Sequence, residues 1–202
     1  DLVKRRPYQS RSWLILADML DDKEQRPQAY RALDRAIELS PQHVDAYILK
    51  STYLADEERF DEAAAACQPE TFADRIPDDL RVQAARVEAQ RGEHETALTH
   101  LRQVASDDPN HMGAWRLASQ VAIDMQDLDV ALVAAQNLVR LAPDDPVSLS
   151  SLGEAHQMRG ETDMAVEQFR KALASQPSYL FAIDSIAEIG LHTNNPEMLE
   201  EA

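Results

Sequence analysis

Six histidines, one cysteine, five glycines and a scatter of aspartates are the residues with chemistry to offer in this 202-residue chain. A hydrolytic zinc site needs two histidines one helical turn apart with a glutamate beside them. No H-E-x-x-H occurs, and His94 and His100 do not share a helix face. The stretch "DMQDLD" at 124–129 gathers three aspartates but lacks the glycine and distal glutamate of a calcium loop. A solvated turn between helices explains it. Cys67 is the single cysteine, which rules out an internal disulfide and a cysteine-based zinc site. Gly92, Gly113, Gly153, Gly160 and Gly190 are dispersed and form no phosphate-cradling loop. Serines, histidines and aspartates show no spacing that assembles a nucleophilic triad. The sequence therefore predicts no catalytic residue, no cofactor and no metal. It reads as a protein that is not an enzyme.

Charge narrows the partners. With 36 acidic and 20 basic residues the formal net charge is −16. Such a body repels phosphate backbones, so nucleic acid is excluded and a partner with basic segments is favoured. Purely apolar runs reach about five residues, as in "WLILA" at 13–17, far short of the roughly 20 that span a bilayer. This segment does not insert in a membrane. Arginine outnumbers lysine sixteen to four, a bias associated with GC-rich bacterial genomes, and both bacterial cytoplasm and periplasm fit the composition.

The elements that must position any site emerge from a repeat. Ala29, Ala63, Ala97, Ala131 and Ala165 recur at a constant interval, i to i+34, and Leu199 falls on the next step. Pro7, Pro41, Pro109, Pro143 and Pro177 keep the same grid, with Pro77 two positions late. Six residues after a proline comes a large side chain: Trp13, Tyr47, Trp115, Leu149 and Ile183. The two tryptophans are expected in the core. Each unit reads as a helix with apolar residues three and four apart, a polar turn, and a second helix with its own apolar stripe. One hairpin cannot bury its apolar side, so neighbours must stack.

"AAAACQPETF" at 63–72 interrupts this regularity, because a proline inside a helix costs about 3 kcal/mol. The alanine grid passes through it without a shift. The second helix is therefore expected to end near Cys67, with "PETFAD" forming a separate turn. Free cysteine is among the most often buried residue types, so Cys67 is expected to be an unreactive thiol.

The pattern resembles the tetratricopeptide repeat: an aromatic at position 4, Leu–Gly at 7–8, Ala at 20, Phe at 24, Ala at 27 and Pro at 32. "VSLSSLGEAHQMRGETDMAVEQFRKALASQP" at 147–177 is the fullest copy, supplying Leu149, Leu152, Gly153, Ala165, Phe169, Ala172 and Pro177. The resemblance implies an all-α fold, a right-handed α-solenoid of helix-turn-helix hairpins. Repeats are expected at about 10–43, 44–77, 78–111, 112–145 and 146–179, with a partial one at 180–202, all in a single superhelix. "DLVKRR" reads as the tail of an earlier second helix and "NPEMLEEA" stops partway through another, so the chain is expected to be a segment of a longer protein.

In this family the first helices line a concave groove, with positions 2, 5, 9 and 12 facing it. Carried over, these are Arg11, Leu14, Asp18 and Asp21, then Asp45, Ile48 and Thr52, then Val82 and Arg86. Arg116 and Gln120 follow, then Ser150, Glu154 and Gln157, then Asp184 and Glu188. Mid-groove is cationic and amide-rich, with Arg86 and Arg116 as anchors, and the carboxy-terminal part is acidic. The chaperone-type carboxylate clamp is missing, since Leu14, Asp18 and Leu49 stand at its basic and amide positions. The asparagine ladder of the O-linked N-acetylglucosamine transferase is absent too, with Ile15, Leu49, Gln83, Leu117, Ser151 and Ser185 in its place. The expected function is a non-catalytic protein-interaction scaffold holding a peptide or helical segment. The alternatives are a targeting arm of a glycosyl- or sulfotransferase and a periplasmic scaffold of a secretion or exopolysaccharide-export machine.

Overall fold

Apolar stripes at helical spacing, with proline and acidic residues at the junctions, produce short helices separated by tight turns. The computed structural model describes residues 2–21 and 25–195, and no strand occurs among them. Among the described residues twelve α-helices follow in order: α1 (Leu2–Arg5), α2 (Ser10–Met19), α3 (Arg26–Leu39), α4 (Val44–Asp56), α5 (Phe60–Ala66), α6 (Asp78–Gln90), α7 (His94–Asp107), α8 (Met112–Asp124), α9 (Leu128–Leu141), α10 (Pro146–Met158), α11 (Thr162–Ser175) and α12 (Leu180–His192). A single 3-10 turn, Glu70–Phe72, lies between α5 and α6. The first helices begin at Ser10, Val44, Asp78, Met112, Pro146 and Leu180, each one full period after the last. The expected second helix containing Leu199 lies outside the described residues.

The grid extends to backbone conformation. Glu58, Gly92, Gln126, Gly160 and Asn194 all adopt positive φ, between 51° and 91°, and they too stand one period apart. Each closes a first helix. The amide of the following residue donates back to a carbonyl five residues upstream: Arg59 to Leu54 at 2.9 Å, Glu93 to Glu88 at 2.8 Å, Asp127 to Ala122 at 2.8 Å, Glu161 to His156 at 2.9 Å and Asn195 to Gly190 at 2.9 Å. A left-handed residue with this bond satisfies the orphan carbonyls of a helix end and reverses the chain.

Packing divides the chain into two compact units, Asp1–Val104 and Ala105–Ala202, with the division falling inside α7. In the first, Ala17, Ala29, Ala32, Leu33, Ala36, Ala46 and Tyr53 form one cluster, flanked by Trp13, Leu14 and Leu16. Leu54, Ala55, Ala63 and Val87 form a second. In the other unit, Leu149, Ala165, Val166, Phe169, Ala172, Ala182, Ile186 and Ile189 pack together, beside a cluster of Ala122, Ala131, Ala135, Leu152 and Ala155. The five grid alanines are each 0% exposed.

The junction prolines also serve an aromatic. Trp13 Nε1 donates to Pro7 O at 2.8 Å, Tyr47 Oη to Pro41 O at 3.0 Å, and Trp115 Nε1 to Pro109 O at 2.9 Å. The two tryptophans are half-buried rather than wholly in the core, because the polar edge of each is fastened to the preceding junction.

The interrupted repeat is legible in helix lengths. Helices α3, α7, α9 and α11 have 14 residues, whereas α5 has 7. It ends at Ala66, and Pro69 is extended at φ −71°, ψ 143°. Phe72 from the 3-10 turn meets Tyr47 edge-on at 6.1 Å, refilling part of the surface that the missing helical turns would cover. Cys67 is 1% exposed, and burial raises its thiol pKa.

Candidate functional site

Helices α2 and α4 run parallel and in register, because each packs antiparallel to α3. Two bonds tie them: Ser10 Oγ and His43 Nδ1 lie 2.6 Å apart at their amino ends, and Tyr53 Oη donates to Ala17 O at 3.2 Å further along. At the carboxy end of α2, the buried Arg26 guanidinium stacks 3.9 Å from the Tyr53 ring centroid. It donates to Tyr53 O at 3.2 Å, Asp21 Oδ1 at 2.6 Å and Asp56 Oδ2 at 3.3 Å. Burial, then the Asp21 and Asp18 carboxylates, push the Tyr53 phenol up to about 12. Asp21 is thereby committed to an ion pair within the fold.

Between α2 and α4 opens a cavity of about 590 Å³. Arg11, Leu14, Asp18, Asp45, Ile48 and Thr52, all groove positions implied by the family resemblance, line it together with Ile15, His43 and Leu49. Thr52 Oγ1 donates to Ile48 O at 2.9 Å and accepts from Gln83 Nε2 at 3.2 Å, so α6 joins the same face. On α6, Val82 is 6% exposed and belongs to the core, while Arg86 is exposed.

The second unit gathers a different set. Arg116 on α8 lies 4.0 Å from Asp145, the carboxylate that caps α10 by accepting from Ser148 N at 2.9 Å. Gln120 donates to Asp124 at 3.2 Å. Glu154 on α10 is half-buried, and burial, reinforced by the Asp124 charge, holds its carboxyl above the usual range. Ser150 is 2% exposed, so the protein's own packing covers it. Tyr179, at the amino end of α12, sits within the fields of Asp145, Arg116 and Glu154; its phenol is raised mainly by burial. Glu188 is exposed on α12.

His43, Asp145 and Tyr179 carry no motif of their own in the sequence, yet they share one place in the repeat, the residue just before a first helix. The repeat spacing is the signal that could have found them. Ile15 and Leu49 also share a position, the one that an asparagine ladder would occupy. Among the described residues no group of three or more His, Cys, Asp or Glu side chains could hold a metal ion, and no helix is long and apolar enough to cross a membrane.

Comparison with known proteins places the fold. No curated protein sequence matches the chain. Among solved structures it is similar to YrrB, described as a TPR protein with an unusual peptide-binding site, at 18% identity and a TM-score of 0.59, covering 91% of this chain and 94% of that one. It is similar to MamA from Desulfovibrio magneticus RS-1 at 18% identity and a TM-score of 0.66, covering 79% and 91%. A chain of the APC/C assembly Cut9-Hcn1 aligns with all of it at 21% identity and a TM-score of 0.72, over 40% of that longer chain. At these identities the likeness is one of fold. Residues 14–71, 82–146 and 116–180 each match the tetratricopeptide repeat model, together most of the sequence, and the chain belongs to the tetratricopeptide repeat family.

Proposed function

We propose that this protein is a non-catalytic interaction scaffold whose first-helix faces hold a segment of another protein. The observation that carries the reading is the α2–α4 cavity. Its lining combines the apolar Leu14, Ile15, Ile48 and Leu49 with the polar Arg11, Asp18, His43, Asp45 and Thr52. An apolar lining with a few polar groups is the usual composition of a recognition site. The similarity in fold to YrrB, itself described as having a peptide-binding site, supports the same reading. On this reading Arg86 and Arg116 serve as further polar contacts, each within its own unit. Truncating either would cost about 1.5–3 kcal/mol of binding for one charge-assisted hydrogen bond.

The test is selection from a displayed random heptapeptide library on the whole chain. Enriched peptides are expected to lose at least about tenfold in affinity when Leu14→Glu or Ile48→Glu is introduced, equivalent to about 1.4 kcal/mol. They should keep their affinity for Val133→Glu, a change at an exposed second-helix position. Failure to enrich any peptide, or binders indifferent to both cavity substitutions, would overturn the reading.

A further inference from the structure

The charges around the α2–α4 cavity are unevenly placed, and that asymmetry specifies an occupant. Leu14 and Asp18 are one helical turn apart on α2, about 6 Å along its axis. Because α2 and α4 are in register, Ile48 and Thr52 repeat the same spacing beside them. The cavity thus has a middle that is apolar and one end that carries the Asp18 carboxylate beside the Thr52 hydroxyl. Asp18 is exposed, and its carboxylate makes no hydrogen bond or ion pair among the described residues.

The opposite end is electrically balanced. There Arg11 on α2 and Asp45 on α4 occupy equivalent positions, and His43 Nε2 lies 3.7 Å from Asp45. An acidic group arriving at that end meets Arg11 but also Asp45. A cationic group arriving at the Asp18 end meets a carboxylate with no ion-pair partner among the described residues, in a chain whose overall charge is −16. The cavity therefore has a direction, apolar in the centre and anionic toward the carboxy end of α2.

In an extended chain, residues i and i+2 project to the same side about 6.8 Å apart, which matches the Leu14-to-Asp18 step. We infer that the α2–α4 cavity takes an extended segment of a partner protein bearing a large aliphatic side chain and, two residues away, a lysine or arginine. The aliphatic group seats among Leu14, Ile15, Ile48 and Leu49, and the cation reaches Asp18. This rests on the proposed scaffold reading and adds the partner's chemistry to it.

The same heptapeptide selection tests it, with the sequences of the binders as readout. Peptides enriched on the parent chain are expected to show a large aliphatic residue followed or preceded at a spacing of two by lysine or arginine. Asp18→Asn should weaken a selected peptide about tenfold, and Asp18→Lys should shift a fresh selection toward aspartate or glutamate at that place. Asp18 is exposed, so circular dichroism of both variants should superimpose on the parent. Binders that lack a basic residue, or that ignore Asp18→Asn while still being lost with Leu14→Glu, overturn this inference and leave the scaffold reading standing. Binders indifferent to both Leu14→Glu and Ile48→Glu overturn both.

Discussion

Glu154 shows how one residue's surroundings set its behaviour. It is half-buried on α10, has no basic partner within hydrogen-bonding reach among the described residues, and feels Asp124 from α8. Burial first, and the neighbouring charge second, raise its pKa in the folded state. A carboxyl that holds its proton more tightly when folded contributes stability that is complete below its ordinary value. That contribution is lost as pH rises through the raised one. Glu154→Gln is therefore expected to be more stable than the parent at pH 7 and equal to it near pH 4, measured by urea midpoints at the two pH values. A parent as stable as the variant at neutral pH would sink the argument. Gly153, beside it, is fixed by space: a Cβ there would sit 2.7 Å from the buried Phe169 ring. The family's Leu–Gly pair made that glycine legible in the sequence. Nothing adjacent to Glu154 signals Asp124, which belongs to the first helix of the preceding repeat.

At the scale of elements, the turn that closes α4, α6, α8, α10 and α12 is the most regular feature of the fold and the least regular in residue type. Glycine fills the left-handed position at Gly92 and Gly160, but Glu58, Gln126 and Asn194 hold it elsewhere. A side chain there costs roughly 1–2 kcal/mol, which glycine avoids at the expense of a more flexible unfolded chain. The first effect exceeds the second. Gln126→Gly is expected to stabilise the chain by about 0.5–1 kcal/mol, read as a higher urea midpoint with an unchanged slope. An unchanged or lower midpoint would show that the Gln126 side chain contributes something its backbone strain conceals. The shortened α5 is the converse case. Pro69 announces the break in sequence, because it removes a donor and clashes with the preceding turn. That Phe72 would fold back against Tyr47 was not legible, since the pairing joins α4 to a turn that lies beyond the whole of α5.

At the scale of the whole molecule, the net charge of −16 opposes folding through self-repulsion. Repeating ion pairs such as Arg91–Asp61 at 3.0 Å and Arg159–Asp129 at 2.7 Å offset part of it. Exposed pairs of this kind contribute about 0–1 kcal/mol each and weaken in salt. Sixteen unbalanced charges outweigh them, so raising salt from about 20 to 300 mM, which shortens the screening length severalfold, is expected to raise the melting temperature by a few degrees. A fall in melting temperature would mean that the ion pairs dominate. The sequence by itself determined the repeat period, the two-helix unit, the buried alanines and the break at Pro69. Each of these follows from local periodicity, volume or backbone chemistry that neighbouring residues impose. Tertiary structure decided which of the residues expected in the groove are exposed. Stacking buried Ser150 and Val82 and left Asp18 exposed beside a partly apolar cavity. Those outcomes depend on what the next helix presents across the gap, and a helix's own periodicity carries no record of that.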